Sequence, residues 1–236
     1  MTKSFTTILL LFAITFSVNA QGTRQGVKKQ PSQQSTAKES PKSYKECPDA
    51  NHPHLIDLGL PSGTKWSCCN VGATAPEEKG GYYSWGETNE KSTYNWSTYT
   101  LCDGSPSTCH KIGNEISGTK YDVAHTIWGG SWRMPTYVQV KELLDNCTYE
   151  WTTCNDVNGA KFTSKKNGSS IFLPAAGNRW GEYPNYVGST GYYWSSSQIP
   201  SHSHSAYFLE FNAESATWGN GNFGRSFGQS IRPVVK

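Results

Sequence analysis

Seven cysteines, two closely spaced histidine pairs, a carboxylate pair and nine tryptophans are the groups in this 236-residue chain that could do chemistry. Among the cysteines, Cys102 and Cys109 flank the short run Asp103-Gly104-Ser105-Pro106, and Cys147 and Cys154 flank Tyr149-Glu150-Trp151, so both spacings suit local disulfides. Closing an eight-residue loop contributes about 2.5 kcal/mol in the chain-entropy account. The odd count leaves one cysteine unpaired or shared between molecules. Adjacent Cys68 and Cys69 point to opposite faces if they lie on a strand. His52-Pro53-His54 and His202-Ser203-His204 each place two imidazoles at i and i+2, half of a zinc or copper site, but no third ligand accompanies either pair. No metal or other cofactor is expected.

Catalytic groupings fare no better. Glu87 and Glu90 have the residue types of an acid and base pair, yet Thr88-Asn89 between them reads as a turn and Glu87 as a structural carboxylate. No Gly-x-Ser-x-Gly motif is present, and Ser195, Ser196 and Ser197 follow Trp194 on an expected strand, where they read as pleat residues. With no assembled nucleophile, base and orienting group, enzymatic activity is not expected.

The elements that must hold these groups are short. Few long aliphatic runs and 23 glycines argue for short antiparallel strands with long loops around one main helix, an α+β chain. The organising stretch is Trp128-Gly129-Gly130-Ser131-Trp132-Arg133-Met134-Pro135-Thr136. Pro135 disfavours helix at Met134, Thr136 supplies an N-cap, and Gln139 completes a capping box. Val138, Val140, Leu143, Leu144 and Cys147 then form an apolar stripe, with Trp132 and Met134 beneath it and Gln139 facing water. Upstream, residues 55–60 and 65–71 read as a hairpin, and 88–117 as a long surface excursion pinned by its two cysteines. Downstream, residues 148–153, 160–164 and 170–173 read as strands, the last two joined at Asn167-Gly168. Residues 192–196, 206–211, 216–218 and 229–235 read as closing strands.

Toward the C-terminus a framework of Ala206-Tyr207-Phe208, Phe211 and residues 229–234 is interleaved with Ser201, His202, His204, Trp218, Asn220, Asn222, Phe223, Arg225 and Phe227. On a strand Trp218, Asn220 and Asn222 share one face, which Phe223, Arg225 and Phe227 can extend. Aromatic and Arg groups among amides are suited to recognition, because they offer large contact area at little entropy cost. This set is the expected ligand-binding surface.

Lys3 precedes an apolar run over residues 8–18 that ends at Val18-Asn19-Ala20, so residues 1–20 read as a signal peptide. Residues 21–46 carry six basic and two acidic residues among Gln, Ser, Pro and Thr, and read as a disordered basic linker. Taking its net +4 and Lys3 from the overall +3 leaves about −2 for residues 47–236, the expected folded domain. The basicity therefore belongs to the tail, and no nucleic-acid face is expected. No membrane span is expected either, since no apolar run approaches ~20 residues.

Several stretches carry a likeness: Asp57-Leu58-Gly59-Leu60-Pro61-Ser62-Gly63-Thr64-Lys65-Trp66, Cys69-Asn70-Val71-Gly72-Ala73, Trp85-Gly86-Glu87, the Trp128 to Thr136 stretch, Tyr193-Trp194-Ser195-Ser196 and Arg232-Pro233-Val234. In this order they resemble the major paralogous domain first named from Fibrobacter succinogenes and abundant in gut Bacteroidota, over residues 52–236. That resemblance implies a C-type-lectin-like fold and assigns no activity. Trp66, Trp128, Trp132 and Trp194 lie within the matching stretches, which implies core packing. Trp96, Trp151, Trp180 and Trp218 lie near polar or glycine-rich segments, where stacking on a sugar or peptide is the alternative. Two sugar-binding calcium motifs of C-type lectins are not matched: Glu182-Tyr183-Pro184-Asn185 interrupts the first, and Trp218-Gly219-Asn220 replaces the second. The C-terminal set is also similar in position to the variable segment of retroelement-diversified lectin-fold proteins.

Together these readings lead to an exported binding module, periplasmic, cell-surface or secreted, with a glycan or protein ligand. The alternatives are a structural subunit of a surface or pilus-like assembly, and an enzyme acting on a polysaccharide or peptide.

Overall fold

A capping box fixes where the main helix starts. In the computed structural model, which describes residues 54–236 apart from the side chains at 220–222, Thr136 accepts from the Gln139 N–H while Gln139 accepts from the Thr136 N–H, and α2 runs Tyr137–Asn146. The expected signal peptide, the linker, Cys47 and His52 lie outside the described residues. The apolar stripe is rotated from the expectation. Val138 is 68% exposed, whereas Gln139 is 8% exposed because its amide donates to Thr64 Oγ1 at 2.8 Å. Val140 and Leu143 are the fully buried apolar residues of α2.

A shorter helix, α1 (Val123–Trp128), precedes it, capped by Asp122. The Asp122 carboxylate is buried and accepts backbone N–H groups from Gly118, His125 and Met134, tying the loop, α1 and the organising stretch together. Burial pushes its carboxyl above the usual carboxylate range, outweighing the opposing pull of those donors.

Among the described residues the strands form four small antiparallel sheets. β1 (Leu55–Asp57) pairs with β2 (Lys65–Ser67), which also pairs with β11 (Val234–Val235). β3 (Cys147–Cys154), β4 (Val157–Ser164) and β5 (Ser170–Pro174) form the second sheet. β6 (Asn178–Trp180) and β7 (Tyr183–Asn185) make a hairpin where no strand was expected. β8 (Thr190–Gln198), β9 (Ser205–Asn212) and β10 (Ala216–Gly224) form the fourth sheet. Within residues 229–235 the strand is confined to β11, and Gln229 and Ser230 make isolated bridges. An α+β organisation of short antiparallel strands with few helices is thus the observed class.

Alternation along β8 divides the interior. Tyr193 joins Leu58, Trp66, Leu143, Phe162 and Phe211 in one cluster, while Tyr192 and Trp194 join Val71, Trp85, Met134 and Phe208 in another. Met134 is therefore buried as expected but in the second cluster, not beneath the α2 stripe. Phe211 covers Gly191 and Phe208 covers Gly219, each a register pair in which any larger side chain would overlap the ring.

One of the two expected disulfides forms, Cys102–Cys109, closing the 88–117 excursion. The other does not. Cys147 and Cys154 sit at opposite ends of the eight-residue β3, paired to Ser164 and Val157. At roughly 3.3 Å per residue the two are separated by over 20 Å, far beyond the span of a disulfide. Cys147 is instead a buried thiol whose pKa burial pushes up to about 11.

Candidate functional site

The β6–β7 hairpin has short strands but is firmly held. Gly181, at φ 77°, takes the first turn position, which a type II′ hairpin reserves for glycine. Its backbone exchanges both hydrogen bonds with Tyr94, at 2.7 and 2.9 Å, and Arg179 does the same with Gly228, at 2.8 and 3.0 Å. The Arg179 guanidinium lies over the Tyr94 ring, 5.1 Å from its centre, and donates to the Glu182 carbonyl. Gly177, at φ 67°, lets Asn185 and Val187 pass close by; any Cβ there would overlap the Asn185 carbonyl.

With Arg179 turned in, the hairpin turns its rings out. Trp180 is 40% exposed, Tyr183 75%, Tyr186 59% and Val187 44%. Trp180 and Tyr183 are direct register partners. Trp180 stacks on Phe227 at 4.3 Å, Phe227 meets Phe223 at 5.0 Å, Phe223 meets Tyr192 at 5.0 Å, and Tyr192 meets Tyr186 at 6.1 Å. A continuous aromatic strip thus runs from the hairpin to the end of β10. Its inner member, Tyr192, has a pKa pushed up to about 12, chiefly by burial.

Tyr186 is held at φ 60°, left-handed backbone that an aromatic residue adopts at a cost of about 1–2 kcal/mol. Its carbonyl accepts from the backbones of Ser189 and Thr190. Exposed rings and a strained backbone both lower stability, so their coincidence marks this segment as a candidate site.

The expected ligand-binding residues do not form one surface. Phe223 and Phe227 are half-buried and belong to the strip. Trp218 is half-buried elsewhere on β10, edge-on to Tyr137 at 5.1 Å and Tyr207 at 5.9 Å. Ser201 and His202 are exposed and bonded to each other at 2.9 Å, and His204 lies edge-on to Trp96 at 6.4 Å. The side chains of Asn220 and Asn222 lie outside the described residues. Arg225 requires correction: it is 0% exposed, 4.6 Å over the Trp85 ring, and so cannot extend an open face. Sequence reasoning missed Tyr183 and Tyr186. The cue was available in Tyr183-Pro184-Asn185-Tyr186, three residues beyond Trp180, where rings crowd a proline and flanking glycines.

Other chemical groupings are committed to structure. Glu87 accepts from the Thr100 N–H at 2.7 Å and from Lys91 at 2.6 Å. The hydroxyls of Ser195, Ser196 and Ser197 donate to the Tyr207 carbonyl, the Pro135 carbonyl and the Glu115 carboxylate. Trp66, Trp132 and Trp194 are buried, while Trp128 is half-buried. Among the described residues no three His, Cys, Asp or Glu side chains group as a metal site, and no helix is long and apolar enough to cross a membrane. No family model matches the chain, and no curated protein or solved structure matches it.

Proposed function

We propose that the chain is an exported, non-enzymatic binding module with a C-type-lectin-like fold, of the major paralogous domain kind it resembles. It holds a glycan outside the cytoplasm against the aromatic strip of the β6–β7 hairpin. The observation that carries this reading is the exposure of Trp180, Tyr183 and Tyr186 on a hairpin clamped through Tyr94 and Gly228. Rings fixed in place before binding offer flat faces for sugar C–H groups with little ordering entropy. The rim favours a glycan over a protein: Glu182 and Asn185 stand beside the rings, and the exposed aliphatic groups there are limited to Pro184 and Val187. The Cys102–Cys109 disulfide supports an oxidising compartment.

Ring stacking needs no metal. On an array of bacterial and host polysaccharides, the secreted protein should therefore bind at least one glycan class and keep that binding in chelator. Absence of glycan binding, or loss of binding in chelator, contradicts the reading.

A further inference from the structure

Arg225 and Arg232 are both fully buried, and among the described residues neither forms an ion pair. Their surroundings differ. Arg232 donates from Nε to Asn70 Oδ1 at 2.8 Å, from Nη1 to the carbonyls of Ser67 and Cys68 at 3.2 and 2.7 Å, and from Nη2 to the carbonyl of Phe172 at 2.9 Å. Every nitrogen of Arg232 is engaged. Arg225 donates from Nε to Tyr99 Oη at 2.8 Å and from Nη1 to the carbonyls of Ser203 and His110 at 2.8 and 3.5 Å, but Nη2 has no hydrogen-bond partner among the described residues. A buried guanidinium with an unengaged nitrogen and no counter-ion is costly, and it leaves a positive field around it.

His110 and Ser203, whose carbonyls hold Nη1, also line a cavity of about 440 Å³ between the loops at 110–114 and 198–203. Lys111, Asn114 and Gln198 complete its polar wall. Among the described residues, the side chains of Lys111, Asn114, Gln198 and Ser203 make no hydrogen bond, so an ammonium, two amides and a hydroxyl are available to a ligand. The nearby carboxylates are engaged: Asp103 with His110 at 2.9 Å, and Glu115 with Ser197 Oγ at 2.6 Å and with the Ser117 N–H.

We propose that this cavity is an anion site, taking the carboxylate or sulfate group of an acidic ligand, with Lys111 and the amides in contact and the buried Arg225 charge behind them. Charge-assisted donors of this kind are what an oxyanion needs. The site is separate from the aromatic strip and stands or falls independently of it.

The test is calorimetric titration of the secreted protein with sodium sulfate and with sodium acetate, each against sodium chloride at equal ionic strength. Saturable binding of sulfate or acetate is expected, weakened at least tenfold in the double variant Lys111→Ala/Gln198→Ala. Lys111 is exposed, Gln198 is half-buried at the end of β8, and among the described residues neither side chain holds another element by a hydrogen bond, so that variant should fold; Arg225→Met serves as a second variant if its melting transition remains cooperative. The relative strength of the two anions identifies the preferred group. No saturable heat with either anion overturns the proposal, as does binding that is the same in the double variant. Stabilisation by sulfate that never saturates and is equal in both proteins is general salting-out, and also overturns it.

Discussion

Tryptophans in two parts of this molecule do opposite work. Around β8 and the organising stretch, Trp66, Trp85, Trp132 and Trp194 are closed in, and the indole N–H groups of Trp85 and Trp194 donate to the carbonyls of Ser195 and Tyr83 at 2.9 and 3.0 Å. On the β6–β7 hairpin, Trp180 stacks on Phe227 yet stays 40% exposed, with its register partner Tyr183 beside it and Tyr186 at the far end of the strip. Rings of the first kind hold the chain together. Rings of the second kind are held in place by the chain and left exposed, so stability and the proposed binding should separate by mutation.

The largest expected effect is in the framework. Trp132→Ala should cost about 3–5 kcal/mol, whereas Trp180→Ala should cost about 1–2 kcal/mol, because 40% of its surface is already exposed. Guanidinium unfolding of both variants measures this, and equal losses would erase the distinction.

Next comes the polar hub of the framework. Asp122→Asn replaces one carboxylate oxygen by an NH2 that must face either the His125 N–H or the N–H groups of Gly118 and Met134, and should cost about 1–3 kcal/mol. A melting temperature unchanged from wild type would mean that the hub does not hold the organising stretch.

Alkaline pH should also act on buried rings. Tyr82 and Tyr192 are pushed up from 10.0 to about 12, and burial raises Tyr83, Tyr94, Tyr99, Tyr149 and Tyr193 as well. The unfolded chain then loses these protons first. Stability is fully present below pH 10 and falls as pH rises toward 12, by about 1 kcal/mol at pH 11 for a two-unit shift. Denaturant midpoints at pH 9 and pH 11 check the direction; a midpoint that does not fall sinks the account of these buried hydroxyls.

How much of this was legible depended on how local the cause was. The α2 start was legible because Thr136 and Gln139 satisfy each other within one turn. The Cys102–Cys109 loop was legible because the chain reverses within it. Cys147 and Cys154 have the same spacing, but a strand runs straight between them, and that depends on pairing with β4. The rotation of α2 was hidden because Gln139 is drawn inward by Thr64, 75 residues away in sequence. Arg225 looked like a recognition residue because nothing nearby in sequence discloses that Trp85 and Tyr99 enclose it. The hairpin was missed because three-residue strands are too short for alternation to register. Its order comes from Tyr94 and Gly228, each distant in sequence.

The smallest expected change in stability is the most pointed. Tyr186→Gly relieves the left-handed backbone at φ 60° while removing one ring of the strip. It should raise stability by about 0.5–1 kcal/mol.

The central claim is that the hairpin rings bind a glycan and do not hold the fold. Its most direct measurement is the affinity of wild type and of Trp180→Ala/Tyr183→Ala/Tyr186→Gly for a polysaccharide that the wild type binds, with both melting curves recorded. The account predicts that affinity falls at least tenfold while the melting temperature stays within a few degrees, since stacking energies are of order 1 kcal/mol per ring. Unchanged affinity in the folded variant would contradict it.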